Sequence, residues 1–562
     1  MVILIGLSYG LSLLIGSVVS KKWEYLDKGI QPGMVELSNS IESDKSFNES
    51  TLNGANSYAK FSKENYSDYT KIGYLTPTTI NDFKEYQKLQ KMAFNNGTEF
   101  IGATGFNLID SIIGETVYNS DGSFYRNNNG TIFDDEYKDK WMVIVDDSVH
   151  SSSIARQVIS VRFETEYVGF AAGLAASIYA TANEENKVSA FGGQAFNSVF
   201  DWMSGYEQGI NWFNWAVLGY DLSYEWVNED ALLYEDHLDP IHLINGYKLS
   251  DSSSTGNELF IDYNNPTSQS NANLWYTGSF NIGDATTIST KQLDAGSKVI
   301  FPVAGGQVVD ALNQISIVNQ NSNSDYVNTM VIGVDADASE QYPSYNDYVL
   351  GSAIKNIPLA IQIGLWYVDR LILKYDWEFP SDALPIEYIL NWAITHTSEE
   401  STEVTYNGET KEIYGWKEYK TDYTERDFAQ MSDEEVESYY TDEENRDNNI
   451  AYSNDLSYED YGEQYPDGYS SELVGTYNNG GCNFISSTIL EESFQILIEE
   501  YNELHSDAPF TGDFFDFLDY AFTQNPVIEN ASNTFSAPGT VIKTSGMHSE
   551  YPWIPDWDVY HK

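Results

Sequence analysis

Two periods alternate along this chain. Short, nearly unbroken apolar runs occur at Met34–Leu37, Ile72–Thr76, Phe100–Thr104, Trp141–Asp146 and Val188–Gly192, several of them rich in β-branched residues. Between them, Asp82–Phe94, Glu166–Ala182 and Val199–Asn211 place apolar residues three and four apart. The first pattern predicts strands buried on both faces, and the second predicts helices with one or more covered faces. The same alternation resumes later. Thr287–Gly296 and Gln307–Ile317 read as helices on either side of a strand at Val299–Val303. A strand at Thr329–Val334 and a helix over 358–373 follow. Strand–helix alternation predicts βαβ units and therefore an α/β fold built on mostly parallel sheets.

Two stretches interrupt the pattern. Residues 221–272 are rich in Ser, Asn, Asp and Tyr, and 399–468 are dominated by Glu, Asp, Tyr and Asn. Both read as surface insertions, because too few apolar residues are available to cover backbone. Regular patterning returns at Leu473–Asn478 and in the amphipathic Ser486–Leu504. The last 50 residues mix aromatics with Pro and Gly and predict no clear element. No internal repeat is visible. At the other end, residues 2–19 are apolar or small without a charge, followed by Lys21 and Lys22. That length suits a secretory signal or an uncleaved membrane anchor.

Charge narrows the partners. The chain of 562 residues has 29 basic against 85 acidic side chains, a formal net charge of −56. Such a surface repels phosphate backbones, which argues against nucleic-acid binding. Cys482 is the one cysteine, so neither an intrachain disulfide nor a cysteine-based metal cluster can form. The seven histidines are scattered. His237 and His242 are the notable pair, and five residues apart in a loop-like stretch is poor metal spacing. No metal and no cofactor is expected. A G-x-G-x-x-G turn and a Gly-Lys-Ser/Thr phosphate loop are both missing from the sequence.

The loops that follow the predicted strands carry a recurrent set of small, acidic and aromatic residues. In chain order these are DKSFNES (44–50), VIVDD (143–147), EYVGFAAGLAA (166–176), FGG (191–193), FPVAGG (301–306), VIGVDAD (331–337) and SAIKNIP (352–358). This ordered set resembles the basic membrane protein family, substrate-binding lipoproteins of ABC importers similar to the purine-nucleoside-binding receptor. The likeness runs over roughly 34–220, 275–375 and 470–505, and WYTGSFNIGDA (275–285) resembles the versions of wall-less bacteria. It implies a periplasmic-binding-protein-like (type I) fold, in which two α/β lobes joined by hinge crossovers close on a ligand. The implied organisation is a signal or anchor at 1–22, lobe one at 23–160 and lobe two at 161–330 with its insertion at 221–272. A return to lobe one or hinge follows at 331–398, then the acidic insertion at 399–468 and a C-terminal return segment and tail at 469–562. The implied activity is nucleoside binding, probable purine preference included, and delivery to an ABC permease by a monomer without chemistry on the ligand. LLIGS (13–17) resembles a lipobox in which Ser17 replaces the acylated cysteine. That substitution argues for anchoring at the outer face of the membrane by residues 2–19 rather than by a diacylglycerol.

A nucleoside needs a flat clamp for its base and acceptors for its vicinal hydroxyls. By resemblance Phe47 stacks on one face of the base. Asp44 accepts from the base or caps the following helix, and Asn48 offers donor and acceptor to a base edge. Asp146 closes an apolar run, where a carboxylate at the carboxyl end of a parallel strand faces the ligand or starts a loop. Phe196 suits the second face of the clamp, with Phe200 as competitor. Gly305 and Gly306 allow close backbone approach. Asp335 is the expected acceptor for ribose hydroxyls, and Lys355 donates to the ligand or orients Asp335. Two other readings remain open at this stage: a surface adhesin on a receptor-like scaffold, with the acidic insertions as its working part, and a glycosidase using a carboxylate pair.

Overall fold

The computed structural model describes residues 33–37, 47–66, 72–77, 83–105, 108–113, 115–118, 124–127, 132, 137, 139–146, 157–193, 197–220, 228, 231–233, 238–244, 275–320, 328–369, 385–406, 409–417, 472–506 and 509–524. The predicted anchor at 2–19 lies outside them. Among the described residues no helix is long and apolar enough to cross a membrane.

The chain opens with β1 (Gly33–Glu36), α1 (Phe47–Tyr66), β2 (Gly73–Leu75), α2 (Phe83–Asn95), β3 (Phe100–Thr104), α3 (Ile109–Ile113), the hairpin β4 (Glu115–Tyr118) and β5 (Phe124–Asn127), β6 (Trp141–Val145) and β7 (Val158–Phe163). Next come α4 (Thr165–Ala182), β8 (Lys187–Gly192), α5 (Asn197–Phe213), β9 (His242–Ile244), α6 (Thr286–Asp294), β10 (Val299–Val303), α7 (Val308–Asn319), β11 (Met330–Asp335), α8 (Ala338–Gln341) and β12 (Val349–Lys355). The remainder is α9 (Ile357–Trp366), α10 (Pro385–Thr395), β13 (Ser401–Tyr406), β14 (Glu409–Tyr414), β15 (Glu472–Gly475), β16 (Cys482–Ser486), α11 (Thr488–Leu504) and α12 (Phe514–Gln524).

These elements form two compact units. Unit one takes residues 1–163 and 357–481, and unit two takes 164–356 and 482–562. The chain therefore passes from one unit to the other at 163/164, 356/357 and 481/482. Unit one holds a six-stranded sheet in the order β15-β7-β6-β3-β1-β2, parallel throughout. Unit two holds a six-stranded sheet in the order β16-β12-β11-β10-β8-β9, parallel except for β16. Strands β3, β10 and β11 are buried at every position, as the unbroken apolar runs required. The α/β class with two parallel-dominated sheets is thus the fold the sequence predicted.

The five consecutive strands of each unit have the same spatial order. In unit one it is β2-β1-β3-β6-β7 and in unit two β9-β8-β10-β11-β12. The architecture is duplicated although the sequence shows no repeat. In such an order the crossovers diverge at one point, beside the carboxyl ends of β1 and β3 in unit one and of β8 and β10 in unit two, and that is where open α/β sheets hold ligands.

Three expectations need correction. Residues 331–356, expected to return to lobe one, lie in unit two, because β11 and β12 pair in register with β10. The stretch 221–272 is not wholly a surface insertion. Leu233, Ile241, Leu243 and Ile244 are buried, and β9 adds an edge strand to β8. The start of 399–468 is likewise built in. The β13–β14 hairpin leads to Trp416, which is buried, and Lys417 bridges to Leu473 of β15. The rest of that stretch lies outside the described residues. The strand β7 was not predicted, and α1 was anticipated only as the helix that Asp44 could cap, without bounds. The helix carries a weak apolar pattern with many polar residues, and the strand follows a Ser-rich approach.

Candidate functional site

In unit one the expected residues gather at the carboxyl end of the sheet. Phe47 is the first residue of α1, half-buried, and Asn48 beside it is buried. One turn on, the Thr51 hydroxyl donates to the Phe47 carbonyl at 2.7 Å and lies 2.7 Å from the Thr104 hydroxyl at the end of β3. The first turn of α1 is therefore pinned to the point where the crossovers diverge. Thr51 and Thr104 carried no signal in the sequence beyond the small polar residue ending an apolar run. Asp44 lies outside the described residues.

Asp146 follows β6 directly, and its N–H donates to the Val161 carbonyl at 2.8 Å. It is buried and has φ of 76°, in the left-handed region where side chains beyond glycine, asparagine and aspartate are rare. Asp335 repeats this in unit two. It is the last residue of β11, buried, with φ of 66°. Strands β6 and β11 are the fourth of their sets, so two buried left-handed aspartates occupy equivalent places in the duplicated architecture. Asp335 is not the local helix cap. Asp337 does that work, its carboxylate accepting from the Ser339 N–H at 2.9 Å.

Lys355 ends β12, the strand next to β11, and is 3% exposed. Its ammonium lies 4.0 Å from Asp335 Oδ1 and 5.4 Å from the centroid of the Trp202 ring on α5. Asp335 and Lys355 are thus brought together, as the sequence reading anticipated, while Trp202 was not foreseen. A tryptophan in an amphipathic helix reads as core, and Trp202 is buried.

Gly305 and Gly306 form a single tight turn with Gln307 ahead of α7, and Gly305 has φ of 52°. A Cβ on Gly306 would approach the Ile282 side chain to 3.3 Å. What holds this corner was missed by the sequence reading. The buried Gln307 side chain donates to the Ser279 and Asn281 carbonyls at 2.9 and 3.0 Å and accepts from the Thr277 hydroxyl at 3.0 Å. Asp310 accepts from the N–H groups of Gly283 and Ala285 at 2.7 and 3.2 Å. Burial raises the Asp310 carboxyl above the ordinary carboxylate range, and these two donors oppose that shift. Together the two side chains fasten WYTGSFNIGDA to the start of α7. Phe196 lies outside the described residues, and the side chain of Phe200 does too.

A groove of about 480 Å³ sits at the opposite, amino end of the sheet of unit two, lined in part by Tyr179, Asn319, Met330, Tyr348 and Ile489. Its amide groups are used internally. Asn319 donates to the Thr329 carbonyl at 3.1 Å, and Asn183 donates to the Tyr179 carbonyl at 2.8 Å. The carboxyl-end loops remain the candidate site. Among the described residues no cluster of His, Cys, Asp and Glu has the form of a metal site.

Part of the chain is similar to known proteins. Residues 33–224 match the family described as ABC transporter substrate-binding protein PnrA-like. A lipoprotein of Mycoplasma pneumoniae, described as an uncharacterized MG040 homolog, is 24% identical over 320 residues, which is 48% of this chain and 46% of that protein. The chain thus matches about half the length of this curated relative. Among solved structures, an ABC transporter solute-binding protein from Aeropyrum pernix K1 has 13% identity and a TM-score of 0.42, covering 88% of this chain and 98% of that one. A sugar transporter from Clostridium phytofermentans has 12% identity and a TM-score of 0.36, covering 62% and 95%. The architecture itself rests on the strand orders given above. Over residues 33–224 the chain is thus similar to the PnrA-like ABC transporter substrate-binding proteins.

Proposed function

We propose that this protein is the substrate-binding component of an ABC importer, that its ligand is a nucleoside of the purine class, and that it hands that ligand to a permease at the outer face of the cell membrane. The observation that carries the reading is the pair of buried left-handed aspartates, Asp146 and Asp335, ending equivalent strands, with Lys355 beside the second. Backbone held in a sparsely populated conformation is a mark of ligand-binding corners. In this reading Asp335 accepts from the ribose hydroxyls, Lys355 donates, and Gly305 and Gly306 admit the ligand close to the backbone. Phe47 stacks on the base and Asn48 reads its edge. Asp44, Asp146 and Phe196 complete the set.

Stacking contributes about 1–3 kcal/mol per base. Each hydrogen bond to a charged group contributes about 1.5–3 kcal/mol. Two of each reach sub-micromolar affinity after the ordering cost of binding. The apolar segment 2–19 and the lipoprotein relative support attachment to the membrane. Calorimetric titration with guanosine, adenosine, the free bases, ribose and amino acids tests the reading. Stoichiometric binding of nucleosides with no product formed is expected. Binding of sugars or amino acids in their place would overturn it.

A further inference from the structure

We propose that Ile282 is a ligand contact, its side chain lying against the flat face of the bound base at the carboxyl end of the sheet of unit two. This rests on the nucleoside reading above. Ile282 is 64% exposed. An exposed apolar residue is ordinary by itself, and Ile317 and Ile496, exposed on the surfaces of α7 and α11, are of that kind. What sets Ile282 apart is where its loop is fastened, and how firmly.

The loop 277–285 is tied to the ends of β8 and β10, the strands beside which the crossovers of unit two diverge. The N–H groups of Thr277 and Gly278 donate to the Gly192 and Gly193 carbonyls at 3.0 and 2.8 Å, and the Gly193 N–H donates to the Val303 carbonyl at 3.0 Å. From the other side, Gln307 and Asp310 bind the two neighbours of Ile282 directly. Gln307 donates to the Asn281 carbonyl at 3.0 Å, and Asp310 accepts from the Gly283 N–H at 2.7 Å. Within the loop the Ser279 hydroxyl donates to the Asp284 carboxylate at 2.5 Å. A backbone held on both sides of a residue cannot turn that side chain away from water. Ile282 Cγ1 and Cδ1 stand 3.3 and 3.5 Å from the point where Gly306 would carry a Cβ. The isoleucine therefore flanks the Gly305–Gly306 corner and leaves most of its surface exposed. A ligand drawn close to that backbone covers it. The gain comes from burying apolar surface, which a base offers on its flat face while a ribose offers hydroxyls, so the base is the part assigned to Ile282.

Two variants test the assignment by calorimetry. Ile282→Val should raise the guanosine dissociation constant about fourfold and Ile282→Ala about 10- to 60-fold, the effect of uncovering one methylene or three carbons. Guanine should weaken by the same factors, because the base is the shared part. The urea midpoint should not move, since the side chain is exposed in the folded protein. An unchanged guanosine constant in Ile282→Ala overturns the proposal, and so does a loss confined to guanosine with guanine unaffected. A second readout separates this proposal from the nucleoside reading. In protein carrying ¹³C in the isoleucine δ1 methyls, the Ile282 signal, assigned by its loss in Ile282→Val, should move in the ring current of bound guanosine. A signal unmoved at saturating guanosine overturns the proposal and leaves the nucleoside reading standing. If guanosine does not bind, the nucleoside reading falls, and the same methyl is followed against ribose, the free bases and amino acids. Movement with one of these keeps Ile282 as a ligand contact, and a methyl that none of them moves overturns it.

Discussion

At the scale of single residues the twin aspartates combine burial with a left-handed backbone. A left-handed backbone disfavours most side chains by about 1–2 kcal/mol, but Asp and Asn tolerate it because they hydrogen-bond locally. Two substitutions at Asp335 therefore separate backbone from carboxylate. Asp335→Asn keeps the backbone preference and removes the charge. The guanosine-to-guanine affinity ratio should fall at least about tenfold by calorimetry, since a charged hydrogen bond contributes about 1.5–3 kcal/mol. Asp335→Ala should show the same loss of preference together with a lower unfolding midpoint in urea. A stacking residue has a different signature. Phe47→Ala should weaken guanosine and guanine alike, by about 5- to 150-fold, if stacking contributes its usual 1–3 kcal/mol. An unchanged dissociation constant removes Phe47 from the site.

At the scale of elements, the helices α4 and α5 of unit two pack backbone against backbone. The run GFAAGLAA in α4, part of the ordered set that carries the resemblance, and the glycines of SGYEQG in α5 are where the two backbones meet. A Cβ on Gly205 would fall 2.0 Å from the Glu166 carbonyl oxygen, and one on Gly173 would fall 2.1 Å from that of Tyr206. Overpacking of this kind costs about 1–3 kcal/mol or more, because backbone cannot move aside as a side-chain tip can. Gly169→Ala should lower the urea midpoint. The spacing of these glycines was plain in the sequence, but their partner was not. A four-residue spacing says that one face is bare, and only the packed pair says what fills it.

At the scale of the whole molecule, charge and burial predict how stability responds to solvent. A net charge of −56 opposes compaction, and salt screens that repulsion. The melting temperature should rise as sodium chloride is raised from about 10 mM to about 500 mM, over which the screening length falls several-fold. Within unit one, Glu36 at the end of β1 is fully buried. The Gln90 amide donates to its Oε2 at 2.6 Å, and among the described residues its Oε1 has no hydrogen-bond partner. Burial pushes this carboxyl up to about 8 from 4.5, the Gln90 bond offsetting part of the rise. The folded chain thus holds a proton that the unfolded chain releases. The contribution of Glu36 is fully present below pH 4.5 and is lost as pH climbs through 8, at about 1.4 kcal/mol per pH unit within that window. Glu36→Gln should remove this slope, so the variant gains relative to the parent as pH rises. Parallel pH profiles for the two proteins would show that Glu36 ionises normally.

The sequence by itself determined the class of the fold, most strand and helix positions, and the identity of the residues at the carboxyl ends of the strands. It could do so because a parallel strand buried on both faces must be an unbroken apolar run, and the polar residue that ends it is conspicuous. Such a run does not name its neighbours. The tertiary structure decided that β11 and β12 belong to unit two and that His242–Ile244 forms an edge strand. It decided that the two units share one strand order, and that Trp202, Thr51 and Gln307 stand behind the residues that sequence had singled out. Each of these depends on contacts between positions far apart in the chain, where hydrogen-bond register and close packing leave no local trace in composition or period.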